Sequence, residues 1–242
     1  MGRTRASRSK SRSQQPATLP FHRNGKWGGA RPGAGRPALA ERRKAVAHRP
    51  RRRLAASRPI HVTVRLRQGL PALRSQRAFR QILRCFAAGK ERFGFRLIHY
   101  SVQSSHLHLV CEAKNREALS RGMQGLLIRL AKALNKSWGR KGSVWAERYH
   151  EHVLTSPRET RNALAYVLNN LWRHLRRADQ ARHGVVDAFA SGRFFDGWKG
   201  APPAPTPPEA EQVVAPPHTW LLRKGWRRHG RIGLDELPGA PA

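Results

Sequence analysis

From Ile60 to Arg67 the chain reads IHVTVRLR, with Ile60, Val62, Val64 and Leu66 apolar and polar residues between most of them. That period of two is the mark of a strand with one buried face. The stretch SQRAFRQILRCFAAGKERF changes to helical spacing, with Phe79, Ile82, Leu83 and Phe86 on one side. FRLIHYSV and HLHLVCEA return to strand character, and the three residues between them, Gln103-Ser104-Ser105, suit an antiparallel hairpin. From Arg116 to Trp138 a long amphipathic helix is predicted, striped by Leu119, Met123, Leu126, Leu127, Leu130 and Leu134. RYHEHVLT reads as a further short strand. Ser156-Pro157-Arg158-Glu159 is a capping box with proline at the first helical position, opening a helix expected to run to about Arg177. The order of elements predicts an α+β domain of the ferredoxin-like βαββαβ type, followed by an additional C-terminal helix.

The flanks lack such periodicity. Residues 1–58 are Arg-, Ser- and Gly-rich with one acidic residue, Glu41, and are expected to form a basic, largely disordered arm. Gly35-Arg36-Pro37 is the core of an AT-hook, which would lay Arg36 in a minor groove; a flexible basic linker is the plainer reading. GKWGGARPGAGRP is not a phosphate-cradling loop, because no Gly-Lys-Ser/Thr closes it. The organisation that follows is an arm (1–58), a domain (59–180), an irregular and Pro-rich linker (181–218) and a short helical tail (219–242). In that tail Trp220, Leu221 and Trp226 are expected to pack back on the domain.

Charge changes the picture. The 242 residues carry a formal net charge of +34, and the basicity extends into the folded part. Such density repels itself, and a polyanion is the natural counterpart. Arg121, Lys132 and Lys136 lie off the stripe of the long helix, where phosphates can reach them. The two cysteines, Cys85 and Cys111, have no metal or disulfide spacing and sit in apolar runs, so they read as small hydrophobes. No apolar run is long enough for a membrane span and no hydrophobic signal core follows the basic N-terminus. A cytoplasmic, nucleoid-associated location is expected.

The chemistry centres on SVQSSHLHLVCEA. In a strand, residues two apart share a face about 6.6 Å from each other, so His106 and His108 can converge on one divalent ion. A pair of structural histidines is the alternative. His150 and His152 have the same spacing, with Glu151 between them, and spacing alone does not choose. In the last predicted helix the stripe is Leu164, Val167, Leu168, Leu171 and Leu175, which leaves Tyr166 roughly opposite. Asn162, Asn170 and Arg173 share its side. A tyrosine set among amides and an arginine is either a surface residue or a reacting one.

His106-Leu107-His108, a helical Tyr166 and an amide four residues later, at Asn170, together resemble the single-tyrosine HUH transposases. The similarity is to the REP-associated tyrosine transposase branch and covers about residues 59–177. It implies His106 and His108 as metal ligands, Asn170 as a third ligand and Tyr166 as the nucleophile. The implied cofactor is a divalent metal, Mg²⁺ or Mn²⁺, and the implied partner is single-stranded or hairpin DNA. The implied reaction is nicking and strand transfer through a 5′-phosphotyrosine. Arg121, Lys132, Lys136, Arg173 and Arg36 are the expected nucleic-acid contacts. A homodimer, with Tyr166 serving its own or a partner's metal, is left open. The competing expectation is a domesticated nucleic-acid binder whose chemistry has lapsed.

Overall fold

A computed structural model describes residues 53–170, 186–200, 213–234 and 236. The basic arm with Arg36, residues 171–185 with Trp172 and Arg173, and the Pro-rich stretch after Gly200 lie outside the described residues. The elements are β1 (Ile60–Arg65), α1 (Gln76–Gly89), β2 (Glu91–Arg92), β3 (Phe95–Val102), β4 (His106–Ala113), α2 (Arg116–Ser137), β5 (His150–Val153) and α3 (Pro157–Leu168). Beyond them come β6 (Trp198–Lys199), a short helix α4 (Trp220–Arg223) and β7 (Ile232–Gly233). The expected α+β class holds. Five antiparallel strands stand in the order β2-β3-β4-β1-β5, so β1 lies between β4 and β5, and each helical crossover skips one strand.

Local sequence sets the helix starts. Ser75 Oγ accepts from Ala78 N at 3.2 Å, Asn115 Oδ1 from Ala118 N at 2.8 Å and Ser156 Oγ from Glu159 N at 3.2 Å. Each satisfies an amide that a helix N-terminus leaves unpaired. The capping box forms in a shifted version, with Glu159 reaching past the Ser156 cap to the amide and hydroxyl of Thr155.

One face of the sheet presents Ile60, Val62, Val64, Leu107, Leu109 and Cys111 to α1 and α2, where Ile82, Phe86, Leu119, Met123, Leu126 and Leu130 complete an apolar core. Gly122 permits the contact, since a β-carbon there would come within 2.3 Å of the Phe95 side chain. Both cysteines are buried free thiols, and burial pushes their ionisation up, so they pack rather than react.

The opposite face is covered by α3 and by chain from beyond it. Ile98 and Val110 meet Leu164, Val167 and Leu168, together with Phe195, Trp198, Trp226 and Ile232. Stretches read from sequence as linker are integrated here. Arg74 grips both Asp187 oxygens at 2.9 Å, Ala190 bridges to Ser101, and Ala215 N donates to Leu97 O at 2.8 Å. The buried carboxylate of Glu112 accepts from the His218 and Thr219 amides and pairs with Arg96, anchoring the start of α4. In α4 and the turn after it, Leu221 and Trp226 are buried as expected. Trp220 is not: it is half exposed, because it lies outside the apolar face that α4 turns inward.

The tyrosine helix is described from Pro157 to Leu168, and its predicted end near Arg177 lies outside the described residues. At Asn169 the backbone departs from ideal helical angles, with φ −105° and ψ 12°, while its N–H still donates to Ala165 O at 2.9 Å. The Asn169 side-chain amide donates to Gly233 O at 2.8 Å and Glu236 O at 3.1 Å, tying this point of the chain to the C-terminal segment.

Candidate active site

His106 and His108 belong to β4, a central strand, and point to the face that α3 covers, while Leu107 and Leu109 are wholly buried on the other. The two imidazoles turn toward each other, with His106 Nε2 3.0 Å from His108 Nε2. Tyr166, half-buried on α3, leaves that helix's apolar stripe and lays its ring edge-on to His108, with centroids 5.0 Å apart. Its hydroxyl stands 3.4 Å from His108 Nε2. All three groups come from one chain.

The surroundings of His108 were not legible as chemistry in the sequence. Thr63 lies directly across from it in the β1–β4 register, and His61 is two residues along on the same face. His61 Nε2 and Thr63 Oγ1 each stand 3.2 Å from His108 Nδ1. Burial, reinforced by His152, lowers the His61 pKa to about 4, so this ring is neutral at pH 7. A neutral His61 and a threonine hydroxyl can both accept from an Nδ1–H of His108. That tautomer leaves the His108 Nε2 lone pair on the side of His106 and Tyr166. The signal in the sequence was the polar alternation of β1, which marks Thr63 and His61 as facing away from the core but not toward what.

The donor set fits a divalent ion. Two nitrogen ligands about 2.1 Å from one ion stand about 3.0 Å apart when their bonds meet near a right angle, and the His106–His108 separation is that distance. Among the described residues no cluster of three His, Cys, Asp or Glu forms. Asn170 is buried, and its side-chain nitrogen, a donor that does not itself ligate a cation, has no hydrogen-bond partner among the described residues.

The rival pair does something else. His150 and His152 sit on the edge strand β5, with side chains 48% and 49% exposed. They turn to separate carboxylates, His150 to Glu147 at 3.1 Å and His152 to Glu159.

The expected nucleic-acid contacts divide. Arg121, Lys132 and Lys136 are exposed on α2, on the opposite face of the sheet from the imidazoles, so they do not line this site. Arg36 and Arg173 lie outside the described residues. Trp138 and Trp145 are half-buried against the apolar core, Trp145 donating to Leu127 O at 3.0 Å. No helix among the described residues is long and apolar enough to cross a membrane.

Residues 59–170 match the family model "Transposase IS200 like". No curated protein matches the chain. Among solved structures, a REP-associated tyrosine transposase bound to a REP hairpin is 17% identical, with 60% of this chain and 82% of that chain covered at a TM-score of 0.46. A candidate transposase from Deinococcus radiodurans R1 is 14% identical, with 57% and 98% covered at a TM-score of 0.33. The match to the IS200-like transposase model spans the domain that carries His106, His108 and Tyr166.

Proposed function

We propose that the protein is a metal-dependent single-stranded DNA endonuclease and strand transferase of the REP-associated branch, acting on hairpin-bearing DNA through a 5′-phosphotyrosine. The observation that carries this reading is the convergence of His106 Nε2, His108 Nε2 and the Tyr166 hydroxyl within 3.0–3.4 Å links in one chain. His106, His108 and the Asn170 side-chain oxygen would hold Mg²⁺ or Mn²⁺, which supplies charge neutralisation and polarisation of the scissile phosphate. His61 and Thr63 fix the His108 ring by its far nitrogen.

Tyr166 carries the covalent step. Its phenol oxygen gives up its proton and forms a bond to phosphorus, the bond from phosphorus to the 3′ oxygen breaks, and that oxygen leaves as a 3′-hydroxyl after taking a proton. The 5′ end stays on the tyrosine as a phosphodiester. Attack by a 3′-hydroxyl reverses the step and rejoins the strand, so no external energy source is needed. The cationic chain supplies attraction for the phosphate backbone, and this binding should weaken as salt rises.

The test is incubation of the protein with Mg²⁺ or Mn²⁺ and a labelled single strand containing a hairpin. A denaturation-resistant protein–DNA adduct and a free 3′-hydroxyl product are expected, both lost in Tyr166→Phe and in chelator. Tight binding with no adduct on any hairpin strand would identify a nucleic-acid binder that has lost the chemistry.

A further inference from the structure

The turn between β2 and β3 carries an aromatic ring where the backbone disfavours one. Arg92 pairs with Phe95, so Phe93 and Gly94 are the two central residues of a tight hairpin loop. Both have positive φ, 55° and 75°. This is the geometry of the turn whose twist matches its strands, and its first central position normally takes Asn, Asp or Gly. A bulky side chain there is strained. Burial does not offset the strain, because Phe93 is 63% exposed, the most of any large apolar residue described.

The neighbours of the ring are cations. The Arg92 guanidinium is 5.8 Å and the Arg121 guanidinium 5.3 Å from its centroid. Exposed Lys114 lies against Gly94. The acids nearby are Glu117, 3.5 Å from Arg121, and Glu91, 3.9 Å from Arg96. Two arginines over an exposed ring are a poor seat for an apolar protein surface and a good one for a base with its phosphates.

We propose that Phe93, flanked by Arg92 and Arg121, is a stacking contact for an unpaired base of the DNA substrate. Aromatic rings beside arginines hold single strands in this way without reading sequence. The contact is remote from the reacting groups. Ser101 pairs with His108 but Phe95 pairs with Ala113, which puts the turn roughly 20 Å along the sheet from the imidazoles. The bases gripped here are therefore not those being cut. This inference rests on the reading of single-stranded DNA as substrate.

Phe93→Asn makes the test clean, since it provides the Asn-Gly pair that this turn favours. The full-length variant should melt at or above the parent temperature. Affinity is read by fluorescence anisotropy in chelator at elevated salt, with a hairpin carrying single-stranded flanks and the same hairpin blunt-ended. Phe93→Asn should weaken binding of the flanked hairpin about tenfold, leave the blunt one within about twofold, and Phe93→Trp should restore the parent value. Unchanged affinity for the flanked hairpin overturns the proposal, as does an equal loss on both hairpins. A lowered melting temperature would make the ring a packing residue, and a parent dimer that becomes monomeric in Phe93→Asn would make it a self-association contact; either result also overturns it. If the parent cuts DNA while Phe93→Asn binds as tightly, only the stacking contact falls. If the parent neither binds nor cuts, the DNA reading falls with it.

Discussion

Two His-x-His pairs share one sheet, one spacing and one face, yet only one closes on itself and on a tyrosine. Thr63 has His108 on one side and His150 on the other, so the pairs are separated by a single strand. On β4 the imidazoles are roofed by α3, His108 is buried, and the rings close on each other at 3.0 Å. On the edge strand β5 they stand in solvent and turn apart to Glu147 and Glu159. Shared spacing creates a shared face. Convergence additionally needs a cover over the face, which α3 supplies to β4.

The strongest test of that contrast is His108→Ala, expected to lower cleavage of a hairpin-bearing strand by at least about a hundredfold while the protein remains folded. Comparable cleavage by His108→Ala and parent, read on a denaturing gel, would move the chemistry elsewhere.

His99 sharpens the comparison from the same face, as a buried histidine without a ligand partner. Burial lowers its pKa to about 4, although Asp196 and Glu112 work the other way. The unfolded imidazole ionises near 6.5, so between about pH 6.5 and pH 4 the unfolded chain takes up a proton that the native ring refuses. Stability should therefore fall by up to about 3 kcal/mol as pH drops through that window. Denaturant titrations across it should show the fall flattened in His99→Gln.

The supports of His108 come next. Thr63→Val, combined with His61→Phe, should weaken Mn²⁺ binding measured by calorimetry about tenfold to a hundredfold, with His61→Gln recovering part of the loss. A smaller effect belongs to the edge. Glu159→Ala removes the carboxylate that closes the capping box and holds His152. It should cost about 1 kcal/mol in denaturant unfolding. Least of all, His150→Ala should leave cleavage within about twofold, and a large loss there would erase the distinction between the pairs.

Much of the fold was legible because its periodicities are strong. The alternation of Ile60, Val62 and Val64 and the stripe of Leu119, Met123, Leu126 and Leu130 became the two sides of one apolar core. The caps at Ser156 and Glu159 could be read because they act within one helical turn. The departure from helical angles at Asn169 could not, because its side-chain amide is bonded to carbonyls of Gly233 and Glu236, far along the chain. The packing of Phe195, Trp198 and Ala215 was hidden for a related reason, since short segments that fill a face by tertiary contact carry no period of their own.

The sequence by itself determined the strand-and-helix order, the cationic character and a short list of reactive groups, since these follow from side-chain type and local spacing. Only the tertiary structure set the two histidine pairs apart, closing one on Tyr166 with His61 and Thr63 behind it and leaving the other turned to solvent and carboxylates. The physical reason is strand position. Spacing assigns a residue to a face, but whether that face is roofed or open depends on which strand becomes central, which becomes the edge and where a distant helix comes to rest.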